Sequence, residues 1–185
     1  MKKTILGLAL ILSLVFLSFK TEKTKVTVKE VVVKAPFEMP AIQIPDFSNC
    51  KKLSIIEFGA VKGNKEKTSI AINKAIDKAN KMGGGIVVIP EGEWLTAKIH
   101  FKSNVNLHLD KGAVLLFSED PKDYLPAVHS TWEGYECLNY SPLIYAYQCK
   151  NIAITGEGEL KAKMDVWKEW FKRPKGHMES LKRLY

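Results

Sequence analysis

The residues able to do chemistry are unevenly spread along this chain. The densest group lies in HSTWEGYECLNYSPLIY (His129–Tyr145), where Trp132, Glu133, Glu136, Asn139 and Tyr140 fall close together. Aromatic faces stack on ring-shaped ligands, while Glu and Asn side chains bond hydroxyl groups. A loop-like insertion with that mixture is a candidate ligand-contact segment. The competing role for Trp132 and Tyr140 is to cover the side of the body behind them. A second aromatic cluster, VWKEWFKRP (Val166–Pro174), sets Trp167, Trp170 and Phe171 at helical spacing, which points to a short helix packing on that body.

Other chemistries fit less well. Glu91, Glu93, Glu119, Asp120 and Asp123 stand in turn-like stretches, the setting of surface acids rather than of an acid–base pair. Cys50, Cys137 and Cys149 follow no metal spacing, and their odd number leaves at least one thiol unpaired. A Cys137–Cys149 bridge is one alternative; small core residues are the preferred one. Gly83–Gly85 follow a helical pattern and precede a strand. A phosphate cradle runs strand, glycines, helix, so the order excludes a dinucleotide site. No catalytic residue, metal ligand or cofactor site is assigned.

The elements that must position these residues come next. LSIIEFGA (Leu53–Ala60) reads as a strand ending in Gly59. The spacing of Ile70, Asn73, Ala75, Ile76 and Ala79 predicts a helix, with Thr68 or Ser69 as its N-cap and Gly83–Gly85 as its stop. Strand centres follow at Val88, Leu95, Leu107, Leu115, Ile144 and Ile154, punctuated by turns such as Ser103-Asn104, Lys150-Asn151 and Gly156-Glu157-Gly158. An antiparallel sandwich would need Asn-Gly or Asp-Gly hairpins, which are absent. Parallel strands without intervening helices require a solenoid of stacked coils. SNVNLHLDKGAVLLFS and KNIAITGEGELKA read as the same coil unit. Val105, Leu107 and Leu109 should then point inward, with Asn104, Asn106 and His108 on the other face or at turns.

The ends differ from the middle. The net charge is +8, but the excess sits in residues 1–34 and 161–185, and the stretch between them is slightly acidic. That leaves no basic stripe, so nucleic acid is not an expected partner. Lys2 and Lys3 precede an apolar run that ends at Lys20, the pattern of an export signal. Residues 1–20 are expected to be a signal peptide, giving a periplasmic or extracellular protein with no stable membrane association after processing. Residues 21–47, with Pro36, Pro40 and Pro45, read as a linker and extended segment. Residues 48–160 carry the coils, and residues 161–185 form a tail.

Two long stretches carry a family resemblance. FGAVKGNKEKTSIAINKAIDKANKMGGGIVVIPEGEWLTAKIHFKSNVNLHLDKGAVLLFSEDPKDYLPAV and WEGYECLNYSPLIYAYQCKNIAITGEGEL resemble the N-terminal part of glycoside hydrolase family 28, the pectin-degrading polygalacturonases. The resemblance spans about residues 37–170. It implies an all-β, right-handed parallel β-helix with one N-terminal capping α-helix. It also implies an inverting hydrolase acting on α-galacturonide or related linkages in pectic polysaccharide or oligosaccharide. Trp132, Glu133, Glu136, Asn139 and Tyr140 then become candidate substrate contacts. Departures are specific. The family commonly has Asp-Gly after its G-x-G-x-Leu turn, where this chain has Lys161-Ala162. The family's Asn-Thr-Asp, Asp-Asp, Gly-His-Gly and Arg-Ile-Lys segments do not occur; Gly176-His177 is followed by Met178. The expectation is an N-terminal fragment, inactive alone, of an enzyme whose complete form is a monomer. The alternative is a non-catalytic β-helix module that binds polysaccharide or serves a structural role.

Overall fold

The computed structural model describes residues 26–170. The expected signal peptide, and the tail beyond Trp170, lie outside the described residues.

The chain opens with strands β1 (Thr27–Val31), β2 (Ile42–Asp46) and β3 (Lys52–Ser54), then helix α1 (Lys65–Lys81). Strands β4 (Gly85–Ile89), β5 (Gly92–Thr96), β6 (Ile99–His100), β7 (Val105–Leu109) and β8 (Ala113–Phe117) follow in close succession. The last elements are β9 (Val128–Trp132), β10 (Tyr135–Asn139), β11 (Ile144–Tyr145), β12 (Ala153–Gly156), β13 (Glu159–Ala162) and helix α2 (Met164–Trp170). A 3-10 turn at Ile55–Phe58 replaces most of the expected Leu53–Ala60 strand, because Ser54 caps it and Gly59 (φ 90°) closes it.

All solenoid pairings are parallel. One sheet stacks β3, β4, β7 and β12; a second stacks β5, β8 and β13; a third pairs β6 with β11. Gly85 lies opposite Val105, so this coil is 20 residues long. The two coil units read from the sequence sit one above the other, with Ala153 opposite Asn106. Asn104 (φ 65°) and Asn151 (φ 52°) turn the same corner in successive coils. Asn151 Nδ2 donates to Asn104 Oδ1 at 3.0 Å, so the side chains of the turn also stack. Asn tolerates this left-handed backbone better than most residues.

Val105, Leu107 and Leu109 are buried and point inward, as expected, while Asn104 turns the corner and His108 faces outward. Inward residues form columns along the solenoid axis. Leu53, Val87, Leu107 and Ile154 lie in register, with exposures of 3%, 0%, 0% and 47%. Trp94, Leu115 and Leu160 form a second column, at 2%, 0% and 43%. Both columns are sealed at the N-terminal coils and open at the coil of β12 and β13.

Helix α1 starts earlier than its expected cap. Asn64 Oδ1 accepts from Lys67 N–H at 2.9 Å and takes the cap position. Thr68 is buried and donates to Val61 O at 2.9 Å, and Ser69 Oγ accepts from Ala97 N–H at 2.8 Å. The two hydroxyls expected to cap the helix therefore tie it to the chain around it. The buried stripe is Thr68, Ala71, Ile72, Ala75, Ile76 and Ala79; Ile70 and Asn73 of the expected pattern face away from it. This stripe joins the core built from Leu53, Val87, Val105 and Leu107.

Residues read as linker and extended segment contain an antiparallel pair, with Thr27 opposite Asp46 and Val31 opposite Ile42. The ribbon itself is exposed. It is fastened at its ends, where Val26, Phe47 and Cys50 bury against Ile86 and Ala153 on the outer side of the first sheet. All three cysteines are free thiols, but only Cys50 is the buried core residue the preferred reading expects; Cys137, on the insertion, and Cys149 are partly exposed.

Candidate functional site

The insertion grows from one corner of the solenoid. Ala97 and Lys98 alone join β5 to β6, whereas residues 118–143 join the equivalent β8 to β11. The insertion begins with a 3-10 turn, Pro121–Tyr124, capped by Asp120, whose carboxylate accepts from Lys122 N–H at 2.9 Å. It then forms the β9–β10 hairpin, antiparallel with Trp132 opposite Tyr135 and Val128 opposite Asn139. Glu133 (φ 51°) and Gly134 (φ 90°) make its two-residue turn. Two positive φ values match the twist of the flanking strands. A Glu-Gly pair therefore makes a tight hairpin turn that the absence of Asn-Gly and Asp-Gly did not exclude.

The hairpin separates the candidate contact residues. Side chains alternate between faces along each strand, and opposite residues share a face. Trp132, Tyr135, Cys137 and Asn139 therefore belong to one face, and His129, Thr131, Glu136 and Leu138 to the other. Trp132, Cys137, Asn139 and Tyr140 line an open groove of about 880 Å³, with Leu138, Pro142 and Trp167. Glu136 does not line this groove and lies 3.8 Å from His129 Nε2. Glu133 is used in the turn. The structure thus brings together Trp132, Asn139 and Tyr140, and does not bring Glu133 and Glu136 to them.

A smaller cavity of about 330 Å³ shares Tyr140, Pro142 and Trp167 with the groove and adds Tyr124, Leu143, Ala162 and Met164. Tyr124 was not among the residues singled out from sequence. Its ring is buried, its hydroxyl donates to Ser118 O at 2.7 Å, and Trp167 stands edge-on to it with centroids 5.3 Å apart. Burial, reinforced by the neighbouring Asp123, pushes the Tyr124 phenol far above its ordinary range. The expected short helix is α2, and its Trp167 both packs and lines the groove.

The opposite hairpin face meets a second aromatic group. Tyr145 and Tyr147 are parallel with centroids 6.1 Å apart, His129 lies 5.3 Å from Tyr147, and Tyr145 OH donates to His129 O at 2.8 Å. The i, i+2 spacing of Tyr145 and Tyr147 was the available sequence signal for this group. Beneath it, His100 Nε2 lies 3.0 Å from Ser141 Oγ. Burial first, and then the nearby Lys98, hold His100 below its ordinary pKa. Unfolded His takes up a proton near pH 6.5. The contribution of neutral His100 to stability is therefore full above that pH and is lost as pH falls through the lower folded value. The melting temperature should drop on mild acidification, and His100→Gln should flatten part of that drop; an unchanged pH profile in the variant would refute it.

Of the acids expected at the surface, Glu91, Glu93 and Asp120 are exposed, whereas Glu119 and Asp123 are partly buried in ion pairs. Glu119 pairs with Lys163 at 2.5 Å, and Asp123 pairs with Lys65. Among the described residues, no three His, Cys, Asp or Glu side chains converge as a metal site. None of their helices is long and apolar enough to cross a membrane.

A chain of this kind is a stacked parallel β-solenoid bearing an aromatic-lined groove on an insertion. No protein-family model matches it. A Vitis vinifera protein described as "Probable polygalacturonase" is 27% identical over 126 residues, covering 64% of this chain and 26% of that protein. The hyperthermoactive exopolygalacturonase of Thermotoga maritima superposes with a TM-score of 0.58 at 41% identity, over 65% of this chain and 26% of its own. The family 28 exopolygalacturonase of Yersinia enterocolitica does so with 0.54 at 30% identity, over 65% and 22%. The chain is therefore related to the polygalacturonase-like hydrolases of family 28, and it spans about a quarter of the length of these relatives.

Proposed function

We propose that this chain supplies the N-terminal coils of an exported, inverting glycoside hydrolase that cleaves α-galacturonide or related linkages in pectin. The observation that carries this reading is the 41% identity to the Thermotoga exopolygalacturonase over 65% of this chain, with a TM-score of 0.58. A right-handed winding agrees with the general hand of parallel strand connections. Inversion needs a carboxylic acid on the leaving oxygen and a second carboxylate activating water, about 6.5–9.5 Å apart. Those groups would come from coils beyond the ones present here. The part of the present coils is to hold the aromatic groove of Trp132, Asn139, Tyr140 and Trp167, where pyranose rings can stack and bond.

Two measurements test this. The 185-residue chain should release no reducing sugar from polygalacturonate; turnover lost on mutating one of its own Asp or Glu residues would overturn the expectation. Grafted in place of the matching coils of the Thermotoga relative, these residues should restore a folded enzyme that hydrolyses polygalacturonate. A chimaera that folds and binds pectic oligosaccharide without cleaving it would favour a non-catalytic module instead.

A further inference from the structure

Lys65 stands at an unfavourable place for its charge. It is the first residue of α1, where the helix dipole favours anions, and the cap beside it is the uncharged Asn64. Its ammonium reaches across to the insertion, where it binds the Asp123 carboxylate. The same carboxylate accepts from Ser118 Oγ. Lys98, from the connection one coil earlier, donates to Leu125 O two residues away. Burial raises the Asp123 carboxyl, but the hydrogen bonds from Lys65 and Ser118 outweigh it and hold the group below the usual carboxylate range. The paired side chains are mostly shielded, at 34% and 21% exposure, so the interaction is less screened than an open surface pair.

What these three groups hold is the 3-10 turn Pro121–Tyr124. Tyr124 is the next residue, and it forms part of the wall against which Trp167 and Tyr140 stand. Its carbonyl also accepts Ser141 N–H at 2.9 Å, which fastens the returning end of the insertion beside Tyr140. A path of direct contacts therefore runs from the first turn of α1 to the groove. We propose that Asp123, by holding Lys65 and Ser118, is a positioning residue that sets the insertion, and with it the Tyr124–Trp167–Tyr140 wall, against the solenoid. Removing its charge would also take away the anion that Lys65 binds and that acts on the charge of Lys98. The consequence for ligand binding rests on the reading of the groove as a pectic oligosaccharide site.

The test compares the full chain with Asp123→Asn, Lys65→Met and the exchanged pair Lys65→Asp with Asp123→Lys. Hydrogen exchange reads the insertion without any ligand. The amides of Leu125 and Ser141 should lose at least tenfold protection in both single variants and regain most of it in the exchanged pair, while those of β4 and β7 stay protected. Calorimetry with trigalacturonate then reads the groove, with affinity expected to fall at least fivefold in Asp123→Asn and to recover in the exchanged pair. Unchanged exchange at Leu125 and Ser141 in Asp123→Asn overturns the inference whatever the ligand does. Loss of protection spread through β4 and β7 overturns it as well, since the pair would then serve global stability. If the unaltered chain binds no trigalacturonate but the exchange pattern holds, the positioning role stands and the pectic reading of the groove falls.

Discussion

Leu107→Ala should lower the unfolding free energy by about 3–5 kcal/mol, the upper part of the range for buried leucines. Leu107 is fully buried at the centre of β7. It lies in register between Val87 of the coil before and Ile154 of the coil after. Parallel pairing on both sides fixes the backbone of β7, so the neighbouring coils cannot close around the missing atoms as a loop could. The loss therefore combines the transfer energy of the removed methyl groups with that of an unfilled cavity. Ile154→Ala supplies the control. Its side chain occupies the same column but is 47% exposed, so its truncation should cost about 1–2 kcal/mol. Urea unfolding of both variants measures the contrast. Equal losses at the two positions would contradict the register that places one inside the stack and the other at its open end.

How much of this arrangement was legible depended on whether local pattern or remote contact decided each element. The strand about Leu107 was readable because apolar and polar residues alternate along VNLHL, whereas the one about Leu115 is apolar throughout (AVLLF), so its inward set of Ala113, Leu115 and Phe117 is fixed by the fold rather than by pattern. Their parallel pairing was inferred from the repeated coil unit, and the register of Ala153 on Asn106 agrees with it. Helix α1 was found, but its start was misplaced, because Thr68 and Ser69 are good caps locally and are taken by Val61 and Ala97 in the fold. The hairpin was read only as a loop because Glu133-Gly134 is an uncommon occupant of a turn with two positive φ values. That omission also explains the mixed candidate site. Without strand alternation, Trp132 and Glu136 look like neighbours on one loop; with it they stand on opposite faces. The β1–β2 ribbon escaped notice for a related reason. Pro45 signals an interrupted segment, yet it sits opposite Val28 in a two-stranded ribbon, where an edge position tolerates it.

The largest effect on solution behaviour should come from the open end of the stack. Strands β11, β12 and β13 each pair on one side only among the described residues. Their other edges present unpaired N–H and C=O groups, the template for addition of another strand. The inward residues above those edges are Ile154 at 47% and Leu160 at 43% exposure, so apolar side chains accompany the free backbone. A cavity of about 320 Å³ lined by Phe101, Ile144, Ala146, Ile152 and Ile154 opens at the same end. Helix α2 covers part of the neighbouring corner, where Trp167 meets Tyr124, but it adds no strand to β12 or β13. Stacked repeats without a polar terminal layer expose the surface that the next coil would bury. Produced alone, the 185-residue chain is therefore expected to self-associate at micromolar concentration and to melt at a temperature that depends on concentration. A charge on the edge should oppose this, so Ile154→Lys should shift the population toward monomer without disturbing β4 or β7. Size-exclusion chromatography with light scattering, alongside melts over a hundredfold concentration range, measures both. A monomeric chain with one sharp, concentration-independent melt would mean that the edges of β12 and β13 are already covered, and the expectation would fail.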